Sequence, residues 1–126
     1  MSNIIFYFRQ VIYPMKTVFH LSTDSSDKVS EMLGNIKNLW DDDGVDMEST
    51  AAVLNADAVK IAEKESEASE FLEPMIEAGL DLKICSNSLS GIEADRDEMI
   101  EGIEVVSSGV GELNRLQEDG YNYIRI

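Results

Sequence analysis

Short apolar runs with β-branched residues alternate along most of this chain with segments of helical spacing. Such runs occupy residues 17–22, 49–54, 80–85, 103–106 and 121–125, and each has the length typical of a strand. Strands that alternate with helices favour an α/β domain whose helices cover both faces of a sheet. The sequence therefore predicts a three-layer fold with a mainly parallel sheet of about five strands.

The segments between these runs predict the helices. Apolar residues recur at helical spacing from residue 26 to residue 42, and residues 56–62 are expected to form a shorter helix. The helix predicted near residues 68–79 contains Pro74, which must either kink it or lie in its first turn. In the last helix, the inner face is predicted to consist of Val110, Leu113 and Leu116.

A chain of 126 residues suits one compact domain, which we assign to residues 15–126. Residues 1–14 stand apart as an apolar and aromatic N-terminal extension that ends at Pro14. They lack the charged start, the longer apolar centre and the small residues of a secretory signal peptide. We therefore treat them as an extension whose Met1 need not be the native start.

Acidic residues outnumber basic residues by 25 to 10, which gives a net charge of −15. A surface of this sign repels phosphate backbones, so we expect no direct binding to nucleic acid. Adaptation to a salt-rich cytoplasm is the simpler explanation of the charge, and a docking surface for a basic partner is the alternative. No apolar stretch is long enough to span a bilayer, so we expect no association with a membrane.

The single cysteine, Cys85, ends the third predicted strand, at the sheet edge where reactive groups gather in parallel folds. If a helical turn begins directly after it, the backbone N–H groups of Ser86, Asn87 and Ser88 point at the sulfur and stabilise a thiolate. Lys83 shares the face of Cys85 on a regular strand, where its charge helps to hold a sulfur anion. The alternative is that Cys85 is a small buried hydrophobic residue. A lone cysteine forms no internal disulfide and indicates a reducing, cytoplasmic location.

The segment 107–111, SSGVG, is predicted to lie at the same sheet edge, one strand away from the cysteine. Ser108 suits a helix cap, and the N–H groups near Gly109 also suit an anion-binding nest; both functions are compatible. His20 is interpreted as structural, and one histidine with one cysteine predicts no metal site. A flavin phosphate site at residues 23–27 is disfavoured, because that segment has two aspartates and no glycine.

Several segments resemble the DsrE/DsrF-like family, which is associated with intracellular sulfur transfer. They are residues 80–89, LDLKICSNSL, residues 102–113, GIEVVSSGVGEL, residues 115–117, RLQ, and residues 120–125, GYNYIR. The resemblance extends from Met15 to Ile126, is densest from Gly79 onward, and fits an archaeal halophile-like member. It implies a DsrE/F-like fold and a homo-oligomer, either a trimer or a hexamer built from trimers.

The same resemblance implies a function for the cysteine. Cys85 is the expected catalytic residue of a sulfur carrier or sulfurtransferase, which holds a persulfide and exchanges it with protein donors and acceptors. The expected supporting residues are Lys83, Asn87, Ser88, Ser108 and Gly109, and no metal or organic cofactor is expected. The alternative is a non-catalytic oligomeric protein that binds a small ligand or a partner in a pocket at the carboxyl ends of the strands.

Overall fold

The computed structural model describes residues 14–126, in which five strands and four α-helices alternate. The strands are β1 (Pro14–Leu21), β2 (Asp46–Leu54), β3 (Leu80–Cys85), β4 (Glu104–Val106) and β5 (Tyr121–Arg125). The α-helices are α1 (Ser26–Trp40), α2 (Ser69–Glu77), α3 (Ser86–Gly91) and α4 (Gly109–Glu118). Two 3-10 helices, Ala56–Ala62 and Arg96–Glu98, complete the regular structure of this part of the chain.

The sheet has the strand order β4-β3-β2-β1-β5, and every neighbouring pair is parallel. The first four strands therefore follow one another across the sheet in a single direction. The fifth strand reverses that direction, because α4 carries the chain back to the free side of β1. The prediction of a three-layer fold with about five mainly parallel strands is confirmed.

Alternate side chains of β1 and β2 enter two apolar clusters on opposite faces of the sheet, and α4 is the only helix within residues 14–126 that packs in the smaller one. The larger cluster joins α1, α2 and α3 to residues such as Phe19, Leu54 and Ile84. The smaller cluster joins Leu113 and Leu116 of α4 to the opposite face; its strand residues are Val18, Ala51 and Val53. Strand side chains of the second set therefore face α4.

One local prediction on the helices needs correction, and the position of Pro74 excludes one of its two predicted alternatives. Val110 is 69% exposed, and the inward positions of α4 are Gly109, Glu112, Leu113 and Leu116. Pro74 is the sixth residue of α2 and does not lie in its first turn. Strands β3 and β5 have the predicted bounds, whereas β1 and β2 each begin three residues earlier than expected.

The predicted N-terminal extension lies outside the described residues except for Pro14. That residue is the first of β1 and pairs with Asp46 of β2. No helix within residues 14–126 has both the length and the apolar character needed to cross a membrane.

Candidate functional site

Cys85 is the last residue of β3, and α3 begins at the next residue. Leu82 and Ile84 enter the larger apolar cluster, so the intervening Lys83 and the terminal Cys85 point to the α4 face. Cys85 is a free thiol with 6% of its surface exposed. The cysteine therefore stands at the carboxyl edge of the sheet, beneath the amino end of α4.

The surroundings of the sulfur are polar. Burial raises the pKa of the Cys85 thiol, but hydrogen bonds from the Ser88 hydroxyl and from the backbone N–H groups of Ser88, Gly109 and Asn87 lower it more. The net pKa lies below the ordinary value of a cysteine. A donor contributes in this way because it binds the thiolate more strongly than the thiol. The arrangement favours an anionic sulfur.

Ser88 joins the cysteine segment to the end of β2. Its hydroxyl oxygen accepts a hydrogen bond of 2.7 Å from the backbone N–H of Ala56. Ala56 has a positive φ of 51°, a conformation that turns the chain sharply after the strand. The same hydroxyl therefore has its proton free to donate to the sulfur of Cys85.

Gly109 brings the first turn of α4 close to both β2 and β3. A Cβ atom at this residue would lie 3.3 Å from the Cβ of Asn55 and 3.6 Å from the Cβ of Cys85. The absence of a side chain lets the helix backbone approach, and its N–H group reaches the sulfur. Ser108 precedes this turn and caps α4, since its hydroxyl accepts a 2.9 Å bond from Gly111 N–H.

Lys83 lies on the predicted face but is held by two carboxylates. Its Nζ is 3.0 Å from Glu112 Oε2 on α4 and 3.2 Å from Glu104 Oε1 on β4. Glu112 also contacts Arg115, one turn further along the helix, at 2.8 Å. Because Lys83 and Glu112 are each 8% exposed, this ion pair fastens α4 to the sheet.

A second polar cluster lies along the same edge, at the ends of β1, β2 and β5. His20 Nε2 is 3.0 Å from Asn55 Oδ1, and the Ser22 hydroxyl donates to that oxygen at 2.7 Å. On the other side of the ring, His20 Nδ1 is 2.6 Å from the Tyr123 hydroxyl and 3.2 Å from Arg125 Nη1. Burial lowers the pKa of His20, the Asn55 bond opposes this and the charge of Arg125 adds to it, so the neutral imidazole is favoured.

Comparison of the chain with models of protein families identifies its family. The model of the DsrE/DsrF-like family matches residues 15–126. The chain belongs to this family. The match includes Cys85, all the residues around its sulfur and the His20 cluster.

Solved structures place this DsrE/DsrF-like chain among proteins of the same fold. The protein of unknown function MTH1491 from Methanobacterium thermoautotrophicum is 33% identical, with a TM-score of 0.82 over 89% of this chain and 99% of that chain. The ychN protein from E. coli is 14% identical (TM-score 0.67; 89% and 99% covered), and BT1422 from Bacteroides thetaiotaomicron is 18% identical (TM-score 0.67; 88% and 94% covered). The last two show the fold alone. A comparison with curated proteins gave no match.

The structure brings most of the predicted site residues of this DsrE/DsrF-like domain together. Asn87, Ser88 and Gly109 surround the sulfur of Cys85, whereas Ser108 acts on the amide of Gly111. Asn55 was not among the site residues predicted from the sequence. The only sequence signal for it was its position directly after the second apolar run, at the same sheet edge as the cysteine.

His20 lies inside the predicted strand 17–22, but β1 ends one residue after it. This position puts its imidazole at the carboxyl edge of the sheet. Within residues 14–126, no group of three or more histidine, cysteine, aspartate or glutamate side chains has the arrangement of a metal site.

Proposed function

We propose that this protein is a sulfur carrier of the sulfurtransferase type, which holds sulfane sulfur as a persulfide on Cys85. One observation carries the proposal: three backbone N–H groups and one hydroxyl lower the pKa of a thiol that burial alone would raise. Membership of the DsrE/DsrF-like family supports it, since that family is associated with intracellular sulfur transfer.

The proposed chemistry is thiol–disulfide exchange, in which no net oxidation occurs. The Cys85 thiolate attacks the outer sulfur of a donor persulfide, the S–S bond of the donor breaks, and the donor leaves as a thiolate. Cys85 then carries the outer sulfur as a persulfide anion. An acceptor thiolate takes that sulfur by the same exchange and regenerates the Cys85 thiolate. The donor and the acceptor are proposed to be proteins.

The supporting residues divide into two groups in this proposal. Asn87, Ser88 and Gly109 donate to the sulfur anion through the bonds already described. Lys83 and Ser108 position α4, Lys83 through its ion pair with Glu112 and Ser108 through its cap. Lys83 thus stabilises the anion by holding Gly109 in place, since its own ammonium group is paired with carboxylates.

We further propose that the protein acts in the cytoplasm as a homo-oligomer, a trimer or a hexamer. A free thiol used for exchange suits a reducing compartment. Large apolar side chains remain exposed on β5 and α4, namely those of Tyr123, Ile124 and Val110, and such exposure is typical of surfaces that meet another chain.

Sulfur uptake tests the carrier function directly. Reduced protein is incubated with inorganic polysulfide, and its intact mass is measured before and after treatment with dithiothreitol. We expect a gain of one sulfur atom that dithiothreitol removes, and no gain in Cys85→Ser, which keeps the size of the side chain. Transfer is then measured with a second thiol, such as glutathione, as the acceptor.

Failure of the native protein to gain sulfur would contradict the carrier function. That result would favour the alternative, a non-catalytic binding protein whose ligand or partner occupies the carboxyl edge of the strands. A gain that persists in Cys85→Ser would also contradict it, because that variant has no cysteine on which a persulfide can form.

A further inference from the structure

The His20 cluster occupies the position where a parallel sheet of this topology binds ligands. Strands β1 to β4 follow one another in one direction, and β5 lies on the other side of β1. The order of the sheet therefore reverses between β1 and β5, and ligands of open α/β sheets bind outside the carboxyl ends of the strands at such a point. His20 of β1 and Tyr123 and Arg125 of β5 meet there.

Asn55 connects this point to the cysteine. Leu21 of β1 pairs with Leu54 of β2, and Leu54 pairs with Ile84 of β3, so the next residues, Ser22, Asn55 and Cys85, form one row across three strands. The hydrogen bond from Ser22 to Asn55 fits this row. Asn55 and Cys85 also lie against the same helix turn, since both Cβ atoms are within 3.6 Å of the Cβ position at residue 109.

The hydrogen-bond donors around His20 determine which way the Asn55 amide faces. Arg125 only donates hydrogen bonds, so the Nδ1 atom that it contacts at 3.2 Å is an acceptor. In a neutral imidazole the proton is then on Nε2, which donates to Asn55 at 3.0 Å. The atom of Asn55 that receives this bond, and the one from Ser22, is therefore the oxygen.

The amide nitrogen of Asn55 consequently does not face His20 or Ser22. The oxygen and the nitrogen leave the same planar carbon in different directions, and β3 is the neighbour of β2 on the other side. Within the described part of the chain, the oxygen accepts both of the bonds that Asn55 makes through its side chain, and the nitrogen keeps its two N–H groups free. Asn55 is half-buried and lies in the row that ends at Cys85, so these donors are available to a group bound at that edge.

We propose that the Asn55 side chain donates a hydrogen bond to the anionic sulfur at Cys85, and that His20 and Ser22 are positioning residues that hold its amide in that orientation. The inference rests on the proposed sulfur chemistry and extends it. A persulfide places its terminal sulfur about 2 Å beyond the cysteine sulfur, which brings the negative charge out toward the row of polar side chains. The site therefore selects a small anionic sulfur species rather than a neutral thiol.

The decisive variant is Asn55→Asp, which keeps the shape of the side chain but replaces the donor with a negative charge. The rate of alkylation by iodoacetamide against pH measures the pKa of Cys85. Because a nearby like charge disfavours the thiolate, we expect an alkylation rate about tenfold lower near pH 7. The matched control is Asn38→Asp, which adds the same charge at an exposed position near the far end of α1, and its profile should equal that of the native protein.

A double-mutant cycle separates positioning from general stability. The half-life of the Cys85 persulfide is measured in His20→Ala, in Asn55→Ala and in the double variant. If His20 acts through Asn55, each single change shortens the half-life by about threefold to tenfold, and the double variant is no worse than Asn55→Ala. Circular dichroism and thermal unfolding establish that the variants are folded, and Asn55→Ala alone suffices if Asn55→Asp does not fold.

Two outcomes overturn the inference. One is a native alkylation profile in Asn55→Asp together with a native persulfide half-life in Asn55→Ala. The other is full additivity of the His20 and Asn55 effects. If the native protein takes up no sulfur, the proposed function fails, but the alkylation profiles still decide whether Asn55 faces the Cys85 sulfur.

Discussion

The pKa of Cys85 results from two opposing effects at one residue. Burial to 6% exposure disfavours the charged sulfur, and donors on α3 and α4 favour it. The donors prevail, because each binds the thiolate through a charge-assisted hydrogen bond. The acidity of this thiol therefore depends on four contacts and not on the overall charge of the protein, whose negative sign opposes it.

Ser88→Ala tests one of these contacts, the hydrogen bond from the Ser88 hydroxyl. The change removes the hydroxyl donor from Cys85 and the acceptor of Ala56 N–H, so we expect a higher pKa for the thiol and a loss of about 1 kcal/mol in stability. Alkylation rates against pH and urea unfolding measure the two effects. Ser90→Ala, at an exposed position on the same helix, is the control. An unchanged alkylation profile in Ser88→Ala would show that this hydroxyl does not act on the sulfur.

Among the elements, α4 is the one whose placement matters most for the site. It covers its face of the sheet with few apolar residues, chiefly Leu113 and Leu116. It is also joined to the sheet by a buried ion pair between Glu112 and Lys83, two residues that are each 8% exposed. This ion pair fixes both the orientation of α4 and its distance from β3. It therefore determines where the first turn of α4 contacts Cys85.

Glu112→Gln tests the attachment of α4. It leaves Lys83 paired with Glu104 alone and weakens the bond to Arg115, so we expect a loss of about 1.5–3 kcal/mol. The control Glu31→Gln breaks an exposed pair with Lys28 and should cost less than about 0.5 kcal/mol. Urea unfolding measures both. Equal effects of the two substitutions would contradict a structural role for the buried pair.

The same variant has a defined dependence on pH. Burial raises the pKa of Glu112, but Lys83 and Arg115 lower it more, so it lies below the ordinary value of 4.5. A carboxylate with a lowered pKa adds stability above its ordinary pKa and loses that contribution as the pH falls through the folded value. The stability difference between native protein and Glu112→Gln should therefore be constant near neutral pH and shrink below about pH 4.5.

At the scale of the whole molecule, the net charge of −15 opposes both compaction and assembly. Copies that associate bring like charges together, while the exposed side chains of Tyr123, Ile124 and Val110 favour contact. Salt screens the repulsion and leaves the apolar contacts, because the Debye length falls from about 10 Å at 0.1 M to about 3 Å at 1 M. Association should therefore strengthen with salt.

Sedimentation velocity at low and high NaCl tests this expectation. We expect a trimer or a hexamer, with association about tenfold tighter at 1 M than at 0.1 M salt. A variant with three exposed carboxylates neutralised, Asp43→Asn, Glu65→Gln and Glu70→Gln, should assemble at lower salt than the native protein. Protomer mass at every salt concentration would contradict the proposed oligomer.

Much of the fold was open to prediction because its signals are local. The bounds of β3 and β5, the cap at Ser108 and the position of Cys85 at a strand end all follow from neighbouring residues. Val110 was misplaced for the opposite reason. The spacing of three apolar residues on α4 does not reveal that a buried glutamate, Glu112, lies on the inner face with a lysine from β3 as its partner.

The sequence by itself determined the α/β class, the family and the place of the single cysteine at a strand end, since these depend on periodicity and on short segments. Only the tertiary structure decided that Asn55 and Cys85 lie against the same turn of α4. It alone also decided that His20 contacts Tyr123 and Arg125. Their neighbourhood arises from the register of β1, β2, β3 and β5, strands that are far apart along the chain. The register of a strand depends on its own apolar pattern together with the apolar pattern of its neighbour, so no single segment of the sequence specifies it.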